Sequence, residues 1–224
     1  MNHSREVKDS LYEQFARVGR AVASPKRIEL LDLLCQGERS VDALARAAGM
    51  TVKNTSAQLK ELRLARLVAT RRDGTRIFYR LADDGVADLY FMLRDIARDR
   101  LAEVEQIARD YFESRDELEP VGRDDLLSRI GKGEVVVVDV RPAEEYVAGH
   151  IPGAMSVPLD DLQDRMQQLP AGVDVVAYCR GPYCVFAPEA ITRLRAAGFS
   201  ARRLEDGFPE WKRAGLPVAV GPTE

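Results

Sequence analysis

Tyr178-Cys179-Arg180-Gly181-Pro182-Tyr183-Cys184-Val185 closes a run, Val173 to Tyr178, that is apolar but for Asp174, and opens an apolar-periodic segment from Val185 to Leu194. The run has the character of a buried strand, Gly181 and Pro182 that of a tight turn, and the periodic segment that of a helix. A cysteine delivered to such a turn lies beside the unpaired N–H groups and positive dipole end of the helix, where a thiolate is stabilised and its pKa falls. The loop has the form of a nucleophile's seat. Residues 180–185 offer at most five N–H groups to an anion, because Pro182 has none. Pro188 is comfortable only in a first helical turn, so the helix starts near Val185.

Working outward, Val135-Val136-Val137-Val138 is a second continuous apolar run, ending in Asp139. Helical segments are expected at 123–130, 160–168 and 185–197. Buried strands alternating with helices imply an α/β domain with a central parallel sheet, whose sites collect at the carboxyl ends of the strands. Cys179 sits at one such end. The stretch from Glu113 to Gly122 is polar and acidic and ends in Pro120 and Gly122, as a linker does. The expected organisation is a first domain over 1–112, a linker over 113–122 and a second domain over 123–222.

The first domain follows a different plan. Ser24 and Pro25 suit the N-cap and first position of a helix with Ile28, Leu31, Leu34 and Cys35 on one face, ending at Gly37. Ser40 to Ala48 gives a second helix and Gly49 its stop; Thr51 caps a third, whose Val52, Leu59 and Leu62 are expected in the core. Arg72-Asp73-Gly74-Thr75 then marks a hairpin between Leu67–Arg71 and Arg76–Leu81. Helix, helix, turn, helix and hairpin make an α+β winged helix-turn-helix. Residues 51–80 hold eight basic groups against Glu61 and Asp73, a local net of +6 within a chain whose formal net charge is −3. That density points to a polyanion. A helix fits the major groove and basic wing residues reach phosphates, so Lys53, Asn54, Thr55, Ser56, Gln58 and Lys60 are the groove candidates and Arg71, Arg72 and Arg76 the phosphate candidates for double-stranded DNA.

Composition narrows the setting. The chain has 224 residues, enough for two domains of ~100 residues each. The opening residues are polar and charged, and no stretch approaches the ~18 apolar residues of a membrane span, so a cytoplasmic protein with no membrane partner is expected. Three cysteines, two of them in one loop, do not form a secreted disulfide framework, and reduced thiols are expected at rest.

Residues 15–112 resemble the ArsR-type family of dimeric bacterial repressors through Pro25-Lys26-Arg27-Ile28-Glu29-Leu30-Leu31, Thr55-Ser56-Ala57-Gln58-Leu59 and Arg71-Arg72-Asp73-Gly74-Thr75-Arg76-Ile77-Phe78-Tyr79-Arg80-Leu81. The resemblance implies a homodimer formed through terminal helices, a role that fits the apolar stripe of Asp83 to Phe112, and therefore a palindromic operator. Two departures matter. The family's metal-binding Cys-Val-Cys is replaced by Ser40-Val41-Asp42 and the last helix holds no histidine, so no metal and no cofactor is expected. Arg66 stands where the family has a glycine suited to a left-handed cap, which leaves the local geometry open.

Residues 123–218 resemble a rhodanese domain through Asp139-Val140-Arg141-Pro142-Ala143-Glu144-Glu145-Tyr146, Gly149-His150-Ile151-Pro152-Gly153-Ala154, the Cys179 loop and Asp206-Gly207-Phe208-Pro209-Glu210-Trp211. The resemblance implies that Cys179 accepts a sulfane sulfur as a persulfide, from a donor such as polysulfide or thiosulfate, held by the amides of a loop that includes Gly181, Tyr183 and Val185. Asp139 and Arg141 are expected to brace the site as a pair, His150 to be structural, and Arg180 to be an anion contact or a solvated loop residue. Related phosphatases and arsenate reductases carry an arginine where this chain has Val185, so bidentate oxyanion recognition is lost. Cys184 is either a partner thiol for Cys179, through a disulfide or sulfur-bridged link, or a residue packed on the sheet. The expected function is a repressor that senses reactive sulfur through Cys179. The alternatives are a sulfurtransferase with an accessory DNA-binding domain, and a thiol sensor of arsenic, selenium or tellurium oxyanions.

Overall fold

A computed structural model describes residues 3–112, 120–170 and 172–222. The chain divides into two compact units, Met1–Ala97 and Arg98–Glu224. Most of the expected linker, residues 113–119, lies outside the described residues.

The first unit runs α1 (His3–Val22), α2 (Pro25–Cys35), β1 (Arg39–Ser40), α3 (Val41–Ala47), α4 (Val52–Leu64), β2 (Val68–Asp73), β3 (Arg76–Leu81) and all but the last three residues of α5 (Asp84–Arg100). Local chemistry sets the starts of the central helices. The Ser40 hydroxyl accepts from the Ala43 N–H at 3.2 Å and the Thr51 hydroxyl from the Asn54 N–H at 3.2 Å, each satisfying an otherwise unpaired donor. Leu30, Leu31, Leu44, Leu59 and Leu62 are fully buried where α2, α3 and α4 meet, each contributing about 1.5–3 kcal/mol. The wing is antiparallel in the order β1-β3-β2, with Asp73 opposite Arg76 and Gly74 at φ 58° in the turn.

Three features depart from the sequence expectations. Helix α1 and strand β1 were not anticipated, because α1 has only a narrow apolar stripe among charges and a two-residue strand has no periodicity. Val52, expected in the core, is exposed at the first position of α4. The stripe of Asp83 to Phe112 is broken at Leu101: α5 ends with Arg98 and Arg100 in its last turn, and the next helix opens with Glu103 and Glu105, charges that favour a helix end and a helix start at those places. At Arg66 the left-handed cap survives without glycine. Its φ is 61°, with its N–H bonded to Arg63 O at 2.9 Å and the Leu67 N–H to Leu62 O at 3.0 Å.

The second unit runs α6 (Ala102–Phe112), α7 (Arg123–Gly131), β4 (Val135–Asp139), α8 (Ala143–Ala148), β5 (Met155–Ser156), α9 (Leu162–Arg165), β6 (Asp174–Tyr178), α10 (Phe186–Ala196), β7 (Ala201–Arg203) and α11 (Phe208–Arg213). Its sheet is parallel throughout, in the order β5-β4-β6-β7. Both faces are covered, which is why these strands are apolar runs rather than alternations. Val138, Val175, Ala177 and Cys179 pack with Ala187, Ala190, Ile191 and Leu194 of α10, while Val137, Val176 and Tyr178 pack with Leu126, Tyr146, Phe208 and Trp211. The segment expected as one helix over 160–168 is a four-residue α-helix between two 3-10 turns.

Candidate functional site: a cysteine loop and a DNA-reading face

Cys179 leaves β6 with its side chain turned into the cluster beneath α10 and is 2% exposed. Against the expectation of reduced thiols, its sulfur is joined to that of half-buried Cys184 as a disulfide, with the two Cα atoms 6.4 Å apart, inside the roughly 4.4–6.8 Å that a bridge requires. The turn at Gly181, with φ 158°, and Pro182 folds the five-residue separation back on itself. The Cys184 N–H donates to Gly181 O at 3.1 Å, so the loop closes on itself with one of the five amides counted from sequence. Tyr183 and Val185 are exposed and border an apolar hollow of about 340 Å³ with Val104, Ile107, Ala108 and Tyr111 of α6.

Arg180 is placed differently from the expectation of an anion contact. Its Nε donates to Glu145 Oε1 at 2.9 Å and its Nη2 to the same oxygen at 2.5 Å, with side chains 13% and 0% exposed, and its guanidinium lies 4.9 Å from the centre of the Phe186 ring. A buried carboxylate demands a partner, and Glu145 takes the arginine that an anion would otherwise use. Glu145 was missed as a site residue because α8 has six residues, too few for periodicity to show which side is buried.

Behind the loop lies a second buried pair. Arg141 Nε donates to Asp139 Oδ1 at 2.9 Å and its Nη2 to Asp139 Oδ2 at 2.5 Å; Nη2 also reaches Gly149 O at 2.7 Å. Burial opposes the Arg141 charge, but the adjacent Asp139 outweighs it and holds the guanidinium above its ordinary pKa. The Tyr178 hydroxyl donates to Asp139 Oδ2 at 2.7 Å and accepts from the Ile151 N–H at 3.1 Å. Burial, then the Asp139 carboxylate, raise its pKa well above the normal phenol value, so it remains a donor. His150 stacks on Tyr146 with centroids 3.7 Å apart and places Nδ1 2.9 Å from Tyr146 O. Gly207 presses against the cysteine loop: a Cβ there would lie 2.5 Å from the Arg180 carbonyl carbon and nearer still to Gly181 N and Cα. The neighbouring Phe208 N–H donates to Cys179 O at 3.0 Å. The Asp-Gly-Phe motif therefore fixes the backbone that carries the sulfur.

In the first unit, Lys53, Asn54, Ser56 and Lys60 are exposed on α4 and Gln58 is half-buried. Thr55 is not on that face; it is fully buried, and its hydroxyl donates to Thr51 O at 3.0 Å, bonding back to the preceding turn. Arg71, Arg72 and Arg76 are exposed on the wing. Arg71 is partly engaged already, with Nη2 2.7 Å from Glu38 Oε1 and its guanidinium 4.7 Å from the Phe78 ring centre, and Arg72 Nε donates to Gly74 O at 3.0 Å.

A winged helix-turn-helix joined in one chain to a rhodanese-like domain defines a DNA-binding transcriptional regulator with an attached thiol domain. The chain matches the bacterial regulatory protein family arsR over residues 24–70 and the rhodanese-like domain over residues 122–214. It is 48% identical over 214 residues to the HTH-type transcriptional regulator Rv0324 of Mycobacterium tuberculosis, spanning 96% of this chain and 94% of that protein. It therefore belongs to the arsR-type regulators that carry a C-terminal rhodanese-like domain. A protein of Allochromatium vinosum named sulfurtransferase is 33% identical over 88 residues, 39% of this chain and 80% of that protein. Among solved structures, the homodimeric winged helix-turn-helix DNA-binding domain (fragment 1-100) from Mycobacterium bovis is 46% identical, with TM-score 0.41, covering 42% of this chain and 87% of that one. Among the described residues, no helix is long and apolar enough to cross a membrane.

Proposed function

We propose that this regulator is a homodimeric repressor that leaves a palindromic operator when sulfane sulfur oxidises Cys179 and Cys184. The observation that carries the reading is the juxtaposition of these two sulfurs at the carboxyl end of β6. A Cys179 thiolate attacks the outer sulfur of a persulfide R–S–SH and releases R–S⁻, leaving Cys179–S–SH. The Cys184 thiol then attacks the inner Cys179 sulfur and expels hydrosulfide, its proton going to that leaving group. The sulfane sulfur is reduced to H₂S while two thiols become one disulfide, so no further oxidant enters.

On the DNA side, Lys53, Asn54, Ser56, Gln58 and Lys60 face the major groove and Arg71, Arg72 and Arg76 the phosphates. Dimerisation is supported by Val7, Leu11 and Phe15, exposed at i, i+4 and i+8 on α1, and by Met92 and Ile96, exposed on α5. A coupling of about 1–3 kcal/mol between loop and operator is enough to lower occupancy several-fold. The test is mass spectrometry of the protein after polysulfide treatment: a Cys179–Cys184 product that lacks two hydrogens, or carries bridging sulfur, supports the reading, and unmodified thiols refute it.

The likeness to a protein named sulfurtransferase favours a second reading, turnover through a Cys179 persulfide. Steady thiocyanate production from thiosulfate and cyanide, undiminished in Cys184→Ser, is its signature.

A further inference from the structure

The face of α4 expected to read bases is wired from outside the helix. Arg27 of α2 is half-buried; its Nε donates to Ala21 O at 2.5 Å and its Nη2 to Arg20 O at 2.8 Å, the last-turn carbonyls of α1. Its Nη1 donates to Gln58 Oε1 at 3.2 Å. Gln58 Nε2 in turn donates to Asn54 Oδ1 at 3.3 Å, and Asn54 Nδ2 lies 3.6 Å from Met50 Sδ.

The direction of this chain is forced at its origin. A guanidinium donates through five N–H groups and accepts nothing, so the atom Gln58 offers it must be the oxygen. That choice leaves the Gln58 amide nitrogen for Asn54, which must then accept with its own oxygen. Each amide oxygen already accepts one bond within the protein, while Gln58 Nε2 and Asn54 Nδ2 each keep an N–H with no oxygen acceptor among the described residues, so donation to a ligand is what the array favours. A free asparagine or glutamine pairs best with adenine, using its oxygen for N6–H and its nitrogen for N7. With one lone pair of each oxygen committed and its orientation set by that bond, the edges that match best are those that only accept, guanine O6 and N7 or thymine O4.

We propose that Arg27 is a positioning residue for operator recognition, holding Gln58 and Asn54 as hydrogen-bond donors and so selecting keto bases, guanine or thymine, over adenine at the contacted positions. This rests on the placement of α4 in the major groove. Arg27 touches no base itself, and because it also ties the end of α1 to α4, a movement of α1 reaches the reading face through the same side chain.

The test is selection of duplexes from a randomised library by the full-length protein and its variants, alongside affinity for a scrambled duplex. The parent is expected to select a keto base at the positions that Asn54→Ala and Gln58→Ala render indifferent. Arg27→Met is expected to cut that preference roughly five- to tenfold, with adenine gaining, while scrambled-duplex affinity holds. Gln58→Glu tests the polarity without depending on Arg27: the new carboxylate accepts from both Arg27 and Asn54, so Asn54 presents its oxygen and one N–H, and adenine is favoured. A uniform loss of affinity in Arg27→Met with base preference intact, or an unchanged preference in Gln58→Glu, overturns the proposal. If Asn54→Ala and Gln58→Ala alter no position, it is the groove placement that fails.

Discussion

Gly207→Ala isolates the contact that seats the cysteine loop. Gly207 has φ −106° and ψ −176°, a conformation any residue adopts, so the substitution introduces no backbone strain of its own. All of its effect comes from the new methyl, which would lie 2.5 Å from the Arg180 carbonyl carbon and closer to Gly181. The atoms it meets are backbone, and the loop is tied to the same motif by the bond from the Phe208 N–H to Cys179 O at 3.0 Å. Either the loop or the Gly207 segment must move by a large fraction of an ångström. Forcing a methyl into packed structure costs about 1–3 kcal/mol, a shift of roughly 1 M in a urea midpoint at ordinary slopes. The assay is specific to this domain, because Trp211 is the sole tryptophan of the chain and is buried, with Nε1 donating to Pro217 O at 2.8 Å. Its fluorescence reports the second unit alone. The rate of the polysulfide-dependent product at Cys179 is expected to fall in the same variant. A Gly207→Ala protein with parental urea midpoint and parental rate would refute the reasoning that this glycine sets the loop.

Three further outcomes follow from the same geometry. Asp139→Asn leaves the Arg141 charge buried without its carboxylate, and about 3–5 kcal/mol should be lost from the Trp211 transition, measured by urea titration. Arg66→Gly relieves a left-handed conformation costing about 1–2 kcal/mol while adding about 0.4–1 kcal/mol of unfolded-chain freedom, so the first unit should gain roughly 0.5–1 kcal/mol by circular dichroism melting; a loss of stability would contradict the cap assignment. Asp174 has its pKa held below 3.8 by a hydrogen bond with Ser200, then by its bond and ion pair with Arg129. A depressed folded-state value means its stabilisation is complete above the unfolded pKa and disappears as pH falls through the folded one. The Trp211 transition of Asp174→Asn should therefore be less sensitive than the parent to acidification below about pH 4.

What was legible in the sequence and what was not divides along physical lines. The Val135–Val138 and Val173–Tyr178 runs announced parallel strands because burial on both faces removes alternation, and the turn residues Thr51, Gly74 and Gly181 marked the boundaries of α4, the wing and the cysteine loop. Whether Cys184 is a partner thiol or a packed residue stays open in the sequence, because the four residues between it and Cys179 allow either; the closure of the loop on itself decides it. Pairing decided by three-dimensional neighbours was not readable. Nothing in a single sequence says that Glu145 claims Arg180 across 35 positions, that Tyr178 donates to Asp139, or that Gly207 abuts Gly181. Thr55 was misplaced for a related reason: a hydroxyl looks polar in the sequence, yet on the inner face of α4 it is satisfied by Thr51 O and buries without cost to its hydrogen bonding. Helix α1 escaped notice because three apolar residues at four-residue spacing are diluted by charges.

Control of the α4 grip on DNA by the sulfur pair at the end of β6 is the step on which the proposed function turns. Its most direct test is the operator Kd of the full-length protein, reduced and then treated with polysulfide, for the parent and for Cys179→Ser. The parent is expected to weaken by at least fivefold on treatment, and Cys179→Ser to remain at its reduced-state affinity. Equal affinities before and after treatment in the parent, or an undiminished response in Cys179→Ser, would contradict it.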